Sequence, residues 1–205
     1  MKEINNINYI ITMADVLLNH IARYIQLSAS EQQLVSELFH LRRLPKKEFL
    51  LQAGDVCRTE HFVVQGCLRA YYIDREAKEH IIQFAVEDWW IGDMRSFVRE
   101  TPSDFFIEAV ESCQLLVIDK PGLERLFREA PPFERFYRII VQNAFMALQQ
   151  RVLANLSQTA EERYLEFIGR YPNIEQRVPQ HQIAAYLGMS PEFLSRIRRQ
   201  QAGRS

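Results

Sequence analysis

The sequence predicts an α+β chain: an N-terminal antiparallel β-roll of the double-stranded jelly-roll kind flanked by helices, a long helix, and a small C-terminal helix-turn-helix domain. Three observations predict it. Between Leu41 and Asp119 short β-rich runs recur, over 49–52, 61–65, 67–73, 79–85, 105–110 and 114–118, with turn signals between them such as Gly54-Asp55, Gln65-Gly66, Asp74-Arg75-Glu76 and Glu111-Ser112. From Phe133 to Leu156 the pattern becomes helical and stays so without a break. From Gln180 to Arg199 two short helical segments flank a Gly-Met-Ser-Pro turn.

The elements follow in order. Residues 1–12 are rich in Asn and Ile, lack a helix cap, and read as a loose extension contributed by an upstream start codon. Asp15 to Gln26 reads as a helix with Val16, Leu17, Ile21, Tyr24 and Ile25 on one stripe. Ser28 with Glu31 forms a capping box for a second helix ending near Phe39. After the strands, a helix over Pro121–Arg128 stops before Pro131-Pro132. In the long helix Ile140, Ala144, Ala147 or Leu148, Arg151 or Val152, and Asn155 recur at three- and four-residue steps. Phe136, Ile139, Val141, Phe145 and Met146 lie elsewhere around it, so the helix can pack on its own domain and on a twin. The expected dimer stripe is Ile140, Ala144, Ala147, Leu148, Arg151 and Asn155. Thr159 with Glu162 caps a further helix to Arg170, and the hinge falls at 155–159. The expected domains are 13–132 for an effector domain, 133–156 for the dimerisation helix and 157–205 for the helix-turn-helix domain.

Composition limits the functions available. The 205 residues are 47% hydrophobic and 25% charged, which excludes a disordered chain. No apolar run approaches the roughly 18 residues of a membrane span, and no signal peptide is evident. Cys57, Cys67 and Cys113 are scattered and odd in number, which supports neither zinc nor an iron–sulfur cluster. A reduced, cytoplasmic setting fits them, as core or surface thiols or, for Cys57 or Cys67, as redox sensors. No metal site is expected, and His20, His40, His61 and His80 form no pattern beyond surface or hydrogen-bonded histidines.

The C-terminal segment carries the chemistry. Ile183 and Leu187 share a face of its first helix, Leu194 and Ile197 a face of its second, and Met189 plugs the angle. Gly188 suits a left-handed C′ position, Ser190 an N-cap and Pro191 the first helical turn. Facing outward are Glu192, Ser195, Arg196 and Arg199, with Phe193 and Gln180 beside them. Arginine reads guanine O6 and N7 in a bidentate way, and a glutamate can accept from cytosine N4. Ser190 and the helix N-terminus suit a DNA phosphate. From 176 to 205 there are five arginines (177, 196, 198, 199, 204) against Glu192, in a chain of net charge −1.

A roll, a long helix and a terminal helix-turn-helix together resemble the catabolite activator/FNR family of bacterial transcription regulators, from about residue 15 onward. Gly54-Asp55 and Phe62-Val63-Val64-Gln65-Gly66-Cys67-Leu68-Arg69 look like the family's glycine-marked turns. Trp90-Ile91-Gly92-Asp93-Met94 stands where the family has Phe-Ile-Gly-Glu-Leu in its phosphate cassette. Ser190-Pro191-Glu192-Phe193-Leu194-Ser195-Arg196 stands where it has Ser followed by Arg-Glu-Thr-Val-x-Arg. The resemblance places Glu192 and Arg196 on the two base-reading positions, while Pro191 replaces a third DNA-contacting arginine. It implies a cyclic-nucleotide-like effector pocket at Gly92, Asp93, Met94, Arg95, Ser103 and Asp104. There the cyclic-phosphate Arg-Ser pair becomes Ser103-Asp104, and Asp93 replaces the Glu that holds the ribose hydroxyl. At about 4 Å, even a screened carboxylate–phosphate pair costs on the order of a kcal/mol. Cyclic nucleotide is therefore disfavoured as effector; Arg95 and Arg99 are near in sequence, and a different small ligand, or none, is expected. Trp89-Trp90 read as pocket lining or as buried roll aromatics. The haem sensors of the family stay open, and no iron–sulfur cysteine cluster is present. Only six residues follow Arg199, so no β-hairpin wing is expected, or the chain is truncated.

The leading reading is a homodimeric DNA-binding transcription regulator, not an enzyme, with double-stranded DNA, a second copy and, as the resemblance implies, RNA polymerase as partners. An unidentified small effector is compatible with it. The alternatives are a ligand- or partner-binding module that has lost DNA contact, and a cupin-like metalloenzyme; the latter lacks any His-x-His.

Overall fold

The computed structural model describes residues 13–202; the reading of 1–12 as an extension lies outside them. A helix over 13–22 (α1) buries Leu17 and Ile21, and helix α2 (Ala29–Leu38) buries Leu34 and Val35. The Ser28 hydroxyl accepts the Glu31 N–H at 3.3 Å, and the Glu31 carboxylate accepts the Ser28 N–H at 2.7 Å, which is the predicted capping box.

Eight strands follow: β1 (His40–Leu44), β2 (Phe49–Leu51), β3 (Thr59–Gln65), β4 (Leu68–Ile73), β5 (Glu79–Ala85), β6 (Trp90–Ile91), β7 (Phe106–Ala109) and β8 (Cys113–Asp119). They form two antiparallel four-stranded sheets, ordered β1-β8-β3-β6 and β2-β7-β4-β5. Successive strand side chains point to opposite faces. Phe62 and Val63, and Leu115 and Leu116, are all buried, so the first sheet is covered on both sides. The second sheet lies over one of those faces, and α1, α2 and helix α4 (Lys120–Glu129) belong to the same core. β1 was not foreseen because only Leu44 in it is buried. β6 is two residues long, and helix α3 (Met94–Arg99) only six, too short to show a period.

The β4–β5 pair changes register between Ala70 and Tyr71, where Gln83 and Ile81 are the successive partners and Ile82 is skipped. That one-residue bulge brings Ile81 and Phe84, three apart, onto one side. Both join Cys67, Tyr71 and Val110 in a second core on the outside of the roll.

Helix α5 (Pro131–Ser157) has 27 residues, a rod of about 40 Å. Phe133 and Phe136 in its first turns are fully buried in the roll core, so the expected boundary at 132/133 falls inside a packed unit. Farther along, Phe145, Met146, Leu148, Val152, Leu153 and Leu156 are exposed. Arg151 departs from the expected dimer stripe. Its guanidinium is turned to its own chain, donating to the carbonyl oxygens of Ile81 (2.8 Å), Ile82 and Tyr186 (3.1 Å), and it stacks 4.1 Å over the Tyr186 ring. Ile140 is half-buried against the roll core, Ala147 is half-buried, and Ala144, Leu148 and Asn155 are exposed.

The C-terminal unit comprises α6 (Ala160–Arg170), α7 (Ile174–Arg177), α8 (Gln180–Leu187) and α9 (Pro191–Ala202). Gln158 and Thr159 link it to α5, and the Thr159–Glu162 capping box is present. Tyr164, Phe167, Tyr171, Ile174 and Val178 complete the second core. Phe84 lies at its centre, with ring centroids 5.5 Å from Tyr186, 6.1 Å from Phe167 and 6.2 Å from Tyr171. The Tyr171 hydroxyl donates to the Phe84 carbonyl at 3.3 Å.

Truncating a buried aromatic removes its transfer energy and leaves a cavity, so Phe84→Ala is expected to lower unfolding free energy by about 3–5 kcal/mol. Tyr72→Ala on the exposed part of β4 should cost no more than about 0.5 kcal/mol. Urea unfolding of both variants checks this, and equal losses would contradict the shared core.

Candidate nucleic-acid interface and the roll pocket

The α8–α9 hairpin is built as its residues dictate. Ile183, Ala184, Leu187, Leu194 and Ile197 are buried between the helices and the second core. Gly188 ends α8 with φ +67°, the left-handed conformation glycine adopts without strain. The Ser190 hydroxyl accepts the Phe193 N–H at 3.2 Å, capping α9, and Pro191 stands at its first position. Gln180 is used inside the unit: its side-chain amide donates to the Pro191 carbonyl at 3.0 Å and staples the two helices.

Burial of Leu194 and Ile197 turns the opposite face of α9 outward. Glu192, Phe193, Arg196 and Arg199 are exposed, and Ser195 is half-buried. Glu192, Ser195, Arg196 and Arg199 follow i, i+3, i+4, i+7 spacing and share that face. The Arg196 guanidinium lies 5.0 Å from the Phe193 ring, and Arg199 Nε donates to the Ser195 carbonyl at 3.4 Å. Its own backbone N–H at the helix start, and then Ser190, hold the Glu192 carboxyl below its ordinary range. Among the described residues neither Arg196 nor Arg199 is in an ion pair.

Two arginines counted toward a basic face are not part of it. Arg177 bridges Glu87 (2.8 Å) and Glu111 on the roll, and Arg198 pairs with Glu175 at 2.8 Å. The Arg177 bridge is not legible in the chain, because Glu111 and Glu87 lie 66 and 90 residues away.

At the roll pocket the expected roles give way to internal bonds. Asp93 was expected at the place of a sugar-binding carboxylate. It is buried, and its side chain accepts the Ser96 N–H at 3.0 Å, capping α3. Arg95 pairs with Asp104 at 2.6 Å and donates to the Pro102 carbonyl. Ser103 is buried, bonded to the backbone of Phe105. Met94 is exposed, with its sulfur 4.0 Å from the Tyr137 hydroxyl. Gly92 lies against Glu60, where an added Cβ would meet the carboxylate at 3.0 Å. Glu60 was missed; standing between Thr59 and His61 at the start of β3, it has the polar surroundings of an exposed carboxylate. Burial, opposed by Tyr137 and aided by Asp93, pushes its carboxyl up to about 8. Glu60 Oε1 and Asp93 Oδ2 are both buried without a partner. This set of residues does not fit a cyclic phosphate: the segment's arginine is neutralised by Asp104, and the interior beneath Gly92 is acidic.

The tryptophans are core residues: Trp90 packs with Phe39, Phe62 and Phe136, and Trp89 with Tyr171. His40 is exposed and His80 pairs with Asp74. His20 is neither at the surface nor hydrogen-bonded; it is buried among Tyr24, Phe62 and Phe136, and burial lowers its pKa. His61 bonds Thr59 and the Ile91 carbonyl, and burial lowers it to about 4. All three cysteines are buried, and burial raises their thiols, Cys67 to about 12 and Cys113 to about 11. That disfavours a thiolate sensor at Cys57 or Cys67. No metal-binding cluster occurs among the described residues, and no helix among them is long and apolar enough to cross a membrane.

Residues 41–130 match the cyclic nucleotide-binding domain family. The chain is 21% identical over 170 residues to the cAMP-activated global transcriptional regulator CRP of Haemophilus influenzae, covering 77% of this chain and 75% of that one. It is 23% identical over 186 residues to the fumarate and nitrate reduction regulatory protein of Vibrio cholerae, covering 83% and 72%. The c-di-GMP responsive global regulator CLP of Xanthomonas campestris has the same fold, with a TM-score of 0.68 at 17% identity, covering 86% of this chain and 93% of that one.

Because Glu60 holds its proton to about 8 when folded but only to its ordinary 4.5 when unfolded, its contribution to stability is full below 4.5 and lost as pH rises through about 8. Melting curves of the Glu60→Gln variant should therefore fall less between pH 5 and 8 than those of the parent. Parallel pH profiles would refute the buried-proton assignment.

Proposed function

We propose that the chain is a homodimeric, sequence-specific DNA-binding transcription regulator of the CRP/FNR kind, a reading supported by the match of residues 41–130 to the cyclic nucleotide-binding domain family and by relatives of 21% and 23% identity. The observation that carries the reading is the outward face of α9, with Glu192, Arg196 and Arg199 exposed on a helix whose other face is locked by Leu194 and Ile197. The exposed Arg196 guanidinium, 5.0 Å from the Phe193 ring, is suited to the major-groove edge of guanine. Ser190 and the N-terminus of α9 face a backbone phosphate.

The second copy joins along α5. Phe145, Leu148, Val152 and Leu156 repeat at three- and four-residue steps and leave an apolar stripe in water, with Met146 and Leu153 beside it. Such a stripe on a monomer has no reason to persist. Ile140, Ala144, Ala147 and Asn155 stay as candidate flanking positions; Arg151 does not. Pairing sets two recognition helices about 34 Å apart on a pseudo-palindromic site. RNA polymerase is the further partner and the cytoplasm the setting. The roll acts as a modified sensor whose effector is not a cyclic nucleotide, since Arg95 is paired with Asp104 and Asp93 caps a helix.

Selection on random DNA is expected to return a two-fold symmetric site. On it, Arg196→Ala should lose about 1–3 kcal/mol of base discrimination; affinity and footprint equal to the parent's would refute the assignment of α9. Phe145→Asp should sediment as a monomer while Arg196→Ala remains a dimer. A Phe145→Asp protein that keeps the parent's mass would place the dimer contact elsewhere.

A further inference from the structure

A cleft opens where the last turns of α5 meet α6 and α8. Arg151, Asn155, Arg163, Glu166, Arg170 and Tyr186 line it, and it is a shallow, open cleft that encloses about 30 Å³. Three arginines and one glutamate thus share its lining. None of the three is in an ion pair among the described residues, a state they share with other arginines such as Arg75 and Arg135, but only these three line one cleft. The one carboxylate, Glu166, accepts the side-chain amide of Gln158 at 3.1 Å.

Each cation is held by contacts that leave its charge unanswered. Arg151 is fixed by three backbone carbonyls and the Tyr186 ring. Arg170 lies 5.6 Å over the Trp89 ring. Arg163 gives one N–H to the Gln158 carbonyl at 3.2 Å, and its Nε is buried with no acceptor. A buried donor without an acceptor is rare in a folded protein and calls for a partner. Planar guanidinium forks match tetrahedral oxyanions in a bidentate way.

We propose that this cleft binds a phosphate-bearing anion, with Arg163 and Arg170 as its direct ligands and Arg151 as a fixed positive charge behind them. The site is separate from the roll pocket and from the outward face of α9. Its lining comes from the long helix, the first helix of the C-terminal unit and the first helix of the hairpin. An occupant therefore ties together the elements that fix where the recognition helix points. The phosphate has two possible sources: a free small molecule, or the DNA backbone.

Calorimetric titration of the full chain with sodium pyrophosphate at low ionic strength tests the proposal. Saturable binding is expected, weakened at least tenfold in Arg163→Gln and in Arg170→Gln, and unchanged in Arg75→Gln, an exposed arginine outside both sites. No binding up to about 10 mM pyrophosphate, or equal binding by the Arg163→Gln/Arg170→Gln double variant, overturns it. Arg163→Lys, which keeps the charge but loses the fork, serves if a glutamine variant fails to fold; parent-like affinity there also overturns it. The source is read from salt-dependent DNA binding. A slope shallower by about two in the double variant assigns the site to backbone phosphates, and an unchanged slope assigns it to a free ligand.

Discussion

The one-residue bulge at Ile82 sets the relation between the two halves of the molecule. Without it, Ile81 and Phe84 would project to opposite faces of the sheet, and only one could reach the outside. With it, both leave the roll on the same side and form a seat for Phe167, Tyr171 and Tyr186. The bulge also turns the carbonyls of Ile81 and Ile82 toward Arg151, so the strand irregularity and the long helix are joined by charge-assisted hydrogen bonds. Arg177 closes the far side by bridging Glu87 and Glu111, and Glu87 in turn accepts the Gly66 N–H at 2.8 Å. Helix α9 is therefore positioned by the outer surface of the roll as well as by the link at Gln158 and Thr159.

Helix α5 serves three environments in turn. Its first turns carry Phe133 and Phe136 into the roll core, where volume and shape are constrained. Its middle presents an apolar stripe to water. Its end gives Ala154 and Arg151 to the C-terminal unit. A rigid rod that is anchored at both ends transmits a displacement at one end to the other.

The roll interior explains why its pocket has changed character. Burial disfavours charge, so Glu60 keeps its proton and His61 remains neutral in the same strand. Their effects on stability have opposite signs: Glu60 favours lower pH, and His61, which resists protonation below its ordinary 6.5, favours higher pH. Asp93, Glu60 and Asp104 together give the region acidic side chains, of which only Asp104 has a cation, Arg95. With Glu60 neutral and Arg95 taken by Asp104, the expected pocket residues leave a phosphate without a free cation, and desolvation selects against it.

What was legible in the sequence was local. Capping boxes at Ser28 and Thr159, the Gly188 turn and the buried faces of α8 and α9 are written in residues three or four apart, and the fold class followed from strand spacing. What was not legible depends on partners brought in by folding. Arg151 has helical spacing suited to a dimer stripe, yet its acceptors lie 69 and 70 residues away. Arg177 and Arg198 looked like part of a basic DNA-facing surface, and each is claimed by a carboxylate. Removing them from the count leaves Arg196 and Arg199 as the described cations on the outer face of α9, opposite a single Glu192. A face with so few charges gains little from non-specific attraction to phosphate, which scales with the number of cations engaged. Under the proposed function, selectivity then rests on the geometry of two or three side chains, and that geometry is what the Ile82 bulge and the second core hold in place.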